Sequence, residues 1–118
     1  MIKAIRGATT VEEDNKEEII NKTQELIEKI ITTNNIKKEN IVYIFFTMTK
    51  DLKSEFPAVA ARKIGFNDIP LMCAQELDID GSLRKCIRIM MLIETNQNVE
   101  IKHVYLHNAV KLREDLMR

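Results

Sequence analysis

Arg88 stands in the run Cys86-Ile87-Arg88-Ile89-Met90-Met91-Leu92-Ile93, a single charge among apolar side chains. An unpaired guanidinium in such a setting is costly, so it needs an anion beside it. Two anions suit it equally: a carboxylate across an interface, or a ligand oxygen in a dry pocket. Arg6, Arg62 and Arg113 are, by residue type alone, solvated charges. Glu76 follows Cys73-Ala74-Gln75. Cys73 by itself reads as a small buried hydrophobe, and Tyr105 as a core or interface aromatic. Arginines, one carboxylate and hydrophobes can bind a polycarboxylate and polarise an oxygen. They offer no evident route to covalent catalysis.

Other chemistries lack their residues. Gly7, Gly65 and Gly81 form neither a phosphate-binding loop nor a dinucleotide fingerprint. His103 and His107 are four apart, which on a strand separates them, and no acid or thiol set completes a metal site. No nucleophile–base pair is evident. Lys plus Arg and Asp plus Glu both total 18, so no basic excess marks a nucleic-acid binder. Neither a metal nor a cofactor is expected. The longest apolar stretch, Ile89 to Ile93, is too short for a membrane span. Cys73 and Cys86 are too few for a disulfide framework, and the start lacks a signal-peptide core, so a reduced cytoplasmic protein is expected.

The elements that must position these residues fit one domain over 1–118. Ile2 to Ala8 reads as a strand. Thr10 with Glu13 fits a capping box, opening a helix that runs to about Thr32. Ile19, Ile20, Leu26, Ile27, Ile30 and Ile31 share one face of it. Glu12–Lys16, Glu18–Lys22 and Glu25–Lys29 are i,i+4 pairs in the favourable order. Strands follow at Ile41 to Thr49, Ile69 to Ala74, Cys86 to Thr95 and Ile101 to Leu106. Pro57 opens a short helix, Ala58 to Ile64, and Gly65 stops it. A short extended piece, Ala109 to Leu112, comes last. The fold class is α+β: a mixed five-stranded sheet with one long helix on one face.

That arrangement leaves a face open. On the strand from Cys86, Ile87, Ile89, Met91 and Ile93 alternate with Cys86, Arg88, Met90 and Leu92, and both sets are mainly apolar. One helix and a half-turn cannot cover both sides. The second cover is expected from another copy of the chain.

Ile5-Arg6-Gly7-Ala8-Thr9-Thr10-Val11-Glu12 resembles the start of the AroH class of chorismate mutases. The likeness continues in register through Phe56-Pro57-Ala58 with Arg62, and through Pro70, Cys73, Gln75-Glu76 and Asp78. Cys86-Ile87-Arg88-Ile89-Met90-Met91, His103-Val104-Tyr105-Leu106 and Val110-Lys111-Leu112-Arg113 with Asp115-Leu116 extend it to the end. The resemblance implies a homotrimer with a barrel-like core and sites between subunits. It implies a cofactor-free Claisen rearrangement of chorismate to prephenate, in the shikimate pathway to the aromatic amino acids. Arg88 would then face the ether oxygen, and Glu76 the ring hydroxyl, with Cys73 beside it. Arg6 and Tyr105 would hold a carboxylate. Phe56, Ala58, Arg62 and Leu112 would line the pocket, with Arg113 at its mouth.

The chain departs from the family pattern in places. Val59 stands where a lysine is frequent, and Glu114 where a proline is common. It also ends at Arg118, short of the longer tail of some members. These differences bear on affinity more than on the chemical step. Two other readings use the same residues: a non-catalytic trimeric binder of small carboxylates, and a deaminase or hydrolase of an unrelated trimeric fold. The second needs a positioned water and motifs absent from this sequence.

Overall fold

The structure, a computed structural model, describes residues 1–112. Five strands, β1 (Ile2–Thr10), β2 (Ile41–Met48), β3 (Leu71–Gln75), β4 (Cys86–Glu94) and β5 (Val104–Tyr105), form one sheet in the order β3-β2-β4-β1-β5. β4 is antiparallel to both β1 and β2, while β1–β5 and β2–β3 are parallel, so the sheet is mixed. Helix α1 (Lys16–Asn34) and the short α2 (Ala58–Lys63) complete the α+β fold.

α1 forms because its apolar residues recur at the helical period. Ile19, Ile20, Leu26, Ile27 and Ile30 are buried against the sheet, with Ile31 half-buried. Its start differs from the expected capping box. Thr10 ends β1, paired with Cys86, and its hydroxyl accepts the backbone N–H of Asn108 instead. The cap is Asn15, whose Oδ1 accepts the Glu18 N–H at 2.7 Å. The Glu18 carboxylate takes the N–H groups of Glu12 and Glu13, ordering the strand-to-helix turn. Glu12 thus precedes the helix, and Lys16 pairs with Glu55 at 3.5 Å rather than with Glu12. At the other end Asn35 adopts a left-handed conformation and closes the helix.

Gly7 lets α1 sit close. A Cβ there would lie 2.7 Å from Ile30 Cδ1 and 3.2 Å from Leu26 Cδ1. The residue after Arg6 is therefore where the Ile30 and Leu26 side chains of α1 rest directly on the backbone of β1.

The last strand is shorter than its apolar pattern predicts. Asn34, at the end of α1, donates to the Lys102 carbonyl at 2.9 Å and accepts the Lys102 N–H at 2.8 Å. These side-chain bonds take the backbone groups that a ladder would use, so β5 starts only at Val104. The piece beyond is not extended either. A 3-10 turn, His107–Ala109, leads into helical backbone at 110–112, because Ala109 buries against Ala8 and Cys86.

Strand alternation gives the sheet two unlike faces. Ile5, Gly7, Ile44, Phe46, Ile89 and Met91 face the helices and are fully buried or nearly so. Ala4, Arg6, Tyr43, Phe45, Thr47, Met72, Arg88, Met90 and Leu92 occupy the opposite face, of which the described elements cover only the end at Ala8 and Cys86, under Ala109 and Leu112. Met72 is 64% and Tyr43 38% exposed, an unusual state for large apolar side chains on a sheet. No described helix is long and apolar enough to cross a membrane.

Candidate active site

The uncovered face holds a cleft of about 580 Å3. β1 supplies Arg6 and Ala8 to it, β2 supplies Phe45 and Thr47, and β4 supplies Arg88 and Met90. Glu76 enters just past β3, Tyr105 from β5, and Leu112 from the helical backbone after the 3-10 turn. Register brings them together. Arg88 pairs with both Ala8 and Thr47, Arg6 with Met90, and Ala8 with Tyr105, so all project from one side.

Two polar couples stand in this cleft. Arg88 Nε lies 3.5 Å from Glu76 Oε2, and the same oxygen accepts the Thr47 hydroxyl at 2.5 Å. Arg6 donates from its guanidinium to the Tyr105 hydroxyl at 3.2 Å. Two guanidinium groups and one carboxylate leave the cleft net cationic, and apolar side chains form its walls. Such a site favours an anionic ligand with an apolar body.

Arg88 departs from the expected inward, dry setting. Its side chain is 46% exposed, because within one chain the cover over its face of β4 stops at Cys86. Glu76 is better sheltered, at 24%.

The remaining expected site residues group elsewhere. Phe56 and Arg62 are exposed, Ala58 is buried, and all three flank or belong to α2. Cys73 pairs with Phe46 and so projects from the helix side of the sheet, away from the Glu76–Arg88 cleft. It packs half-buried near α2. Burial raises its thiol pKa, while the Ala58 backbone and the Arg62 charge oppose the rise. One chain thus carries two clusters, the cleft and the α2–β3 edge. Arg113, expected at the mouth, lies outside the described residues.

Cys86 is not poised as a nucleophile. Cys86, buried next to the cleft, has its thiol pushed up to about 11 by burial, so it stays protonated at neutral pH. The rearrangement of a ligand held by fixed charges needs no such group.

Known proteins resemble this chain along nearly its whole length. Residues 2–116 match the family model for chorismate mutase type I. The chain belongs to the type I chorismate mutase family. Chorismate mutase AroH from Bacillus subtilis (strain 168) is 49% identical, with 98% of this chain and 93% of that protein aligned. Chorismate mutase AroH from Thermus thermophilus is 46% identical, over 98% of this chain and 97% of the relative. Among solved structures, a chorismate mutase from Clostridium thermocellum superposes with a TM-score of 0.90 at 46% identity, covering 92% of this chain and 98% of that one. Chorismate mutases are isomerases.

Two contributors escaped the sequence reading. Thr47 braces Glu76, and His103 accepts the Arg6 backbone N–H at 2.9 Å. Period-2 alternation from Phe45 would have set Thr47 on the Arg88 face. Nothing local marks His103, since its partner is 97 residues away.

Proposed function

We propose that this chorismate mutase converts chorismate to prephenate in a homotrimer, at sites shared by neighbouring chains. The observation that carries the reading is the cleft with Arg88 beside Glu76 and Arg6 beside Tyr105. Arg88 hydrogen-bonds the ether oxygen as it gains negative charge. Arg6 and Tyr105 hold a carboxylate, and Glu76 accepts from the ring hydroxyl. The α2 cluster of the next chain, with Phe56, Ala58, Arg62 and Cys73, closes the cleft, and Leu112 and Arg113 border it. The separation of that cluster from the cleft within one chain supports this division. So does the apolar sheet face, which leaves large side chains in water unless another copy covers it.

The mechanism is positioning plus electrostatics. Arg6 with Tyr105 on one carboxylate, and Arg88 touching a substrate carboxylate as well, select the compact conformer in which the reacting carbons meet. A fixed guanidinium at the ether oxygen acts mainly in the transition state, and one such donor is worth roughly 3 kcal/mol. No proton moves and no bond to the protein forms, so no cofactor is required. The same reading treats residues 1–118 as one domain working in the reduced cytoplasm, with Cys73 and Cys86 as free thiols.

The test is direct. Pure protein without added cofactor should make chorismate absorbance fall as prephenate forms, and sedimentation should give about three times the 13.7 kDa chain mass. Binding of chorismate without turnover would replace this reading with that of a non-catalytic carboxylate binder.

A further inference from the structure

The β1–β5 ladder opens at Gly7 and Val104. One residue earlier on β1, the backbone N–H of Arg6 meets no carbonyl from the partner strand. It donates to His103 Nδ1 at 2.9 Å, while the Arg6 guanidinium donates to Tyr105 at 3.2 Å. Two side chains from one short edge segment therefore hold the same arginine, one by its backbone and one by its head. We infer that His103 is a positioning residue of the cleft, whose neutral imidazole fixes the Arg6–Tyr105 couple for the substrate carboxylate. The inference rests on the reading of Arg6 and Tyr105 given above.

The chemistry of the bond sets the protonation state. A ring nitrogen that accepts must keep its lone pair, so the proton sits on Nε2. Protonation of Nδ1 puts two donors face to face and breaks the bond. The surroundings oppose that step. Desolvation, then the Arg6 charge, hold His103 below its ordinary value of 6.5. Lys102 adjoins it in sequence, with its own backbone groups bound by Asn34 of α1. Tyr105 is the titratable group on β5. No carboxylate among the described residues forms an ion pair with His103 that would favour the charged form. The sign follows: the acceptor is intact above pH 6.5 and is lost as pH falls through the lowered pKa.

Three variants in the complete enzyme test this, with trimer mass and melting temperature measured alongside. His103→Ala removes the acceptor and should raise KM about three- to ten-fold, the worth of one net hydrogen bond, with kcat nearly unchanged. His103→Asn carries an amide oxygen near the Nδ1 position and should restore most of the loss. On acidification below pH 6.5, through the lowered pKa of His103, wild-type KM should climb more steeply than that of His103→Asn, which has no proton to take up there. Equal impairment of the Ala and Asn variants, or identical acid limbs for wild type and His103→Asn, would overturn the inference. Arg6→Ala separates the two levels of argument. If it raises KM while His103→Ala does not, only the positioning role falls. If Arg6→Ala leaves KM unchanged, the carboxylate reading of Arg6 falls first. Should His103→Ala fail to fold, the Asn comparison across pH still decides.

Discussion

Glu76 and Arg88 meet through one oxygen: Oε2 of the carboxylate stands 3.5 Å from Arg88 Nε and also accepts the Thr47 hydroxyl. Thr47 and Arg88 are cross-strand neighbours on β2 and β4, so the sheet itself fixes the spacing. With Oε2 engaged, Oε1 is the oxygen left to meet a substrate hydroxyl. Thr47→Val keeps the shape and removes the donor. It should lower kcat/KM about ten-fold, in line with a hydrogen bond to a charged group, whereas Thr47→Ser should stay near wild type. Equal activity in the Val and Ser variants would show that the hydroxyl does not orient Glu76.

Arg88 should matter to the chemical step more than to binding. Arg88→Ala removes the donor, and Arg88→Lys keeps charge but loses the planar fork. Both should lower kcat at least about 100-fold, the size expected for a donor aimed at developing charge. A citrulline at position 88, introduced by semisynthesis, is the cleaner probe, since it keeps N–H donors and removes the charge. A folded trimer with citrulline at near wild-type kcat would refute the electrostatic mechanism.

Gly7→Ala addresses the scaffold under Arg6. The added methyl would come within 2.7 Å of Ile30 Cδ1, in a core where Ile30 and Leu26 are fully buried. Relief requires Ile30 to leave its position in that packed core or α1 to move away from β1. The expected cost is about 1–3 kcal/mol of stability, seen as a lower melting temperature. An unchanged melting temperature would mean that Ile30 simply turns aside.

Much of this was legible in the chain itself. Arg88 stands out as a charge between isoleucines, and the two-faced pattern of β4 shows the missing cover. Alternation and helical period are local signals, and α1 and the four longer strands obeyed them. The misses arise where a side chain replaces a backbone partner. Asn34 caps the Lys102 backbone and shortens β5, and Thr10 turns to Asn108 instead of capping α1. Such bonds join residues far apart in sequence, so no window of the sequence holds both ends. The grouping of Cys73 with α2 followed only once the Phe46–Cys73 register gave its side of the sheet.

A shared site makes a quantitative prediction through mixed trimers. Arg88 lies in the cleft, and Arg62 lies on α2 in the other cluster of the same chain. If each site takes its cleft from one chain and its α2 edge from the next, Arg88→Ala spoils one half-site and Arg62→Ala the other. Each variant alone should be nearly inactive at low substrate concentration. Co-refolded in equal amounts, they should assemble at random into cyclic trimers. An interface is fully wild type only when its cleft comes from the Arg62→Ala chain and its α2 from the Arg88→Ala chain. For head-to-tail contacts this occurs at about one interface in four, so about a quarter of wild-type activity should return. Mass spectrometry of differently tagged chains confirms that hybrids have formed. Hybrids that stay inactive would place the whole site within a single chain and remove the need for the uncovered sheet face to meet a partner's α2.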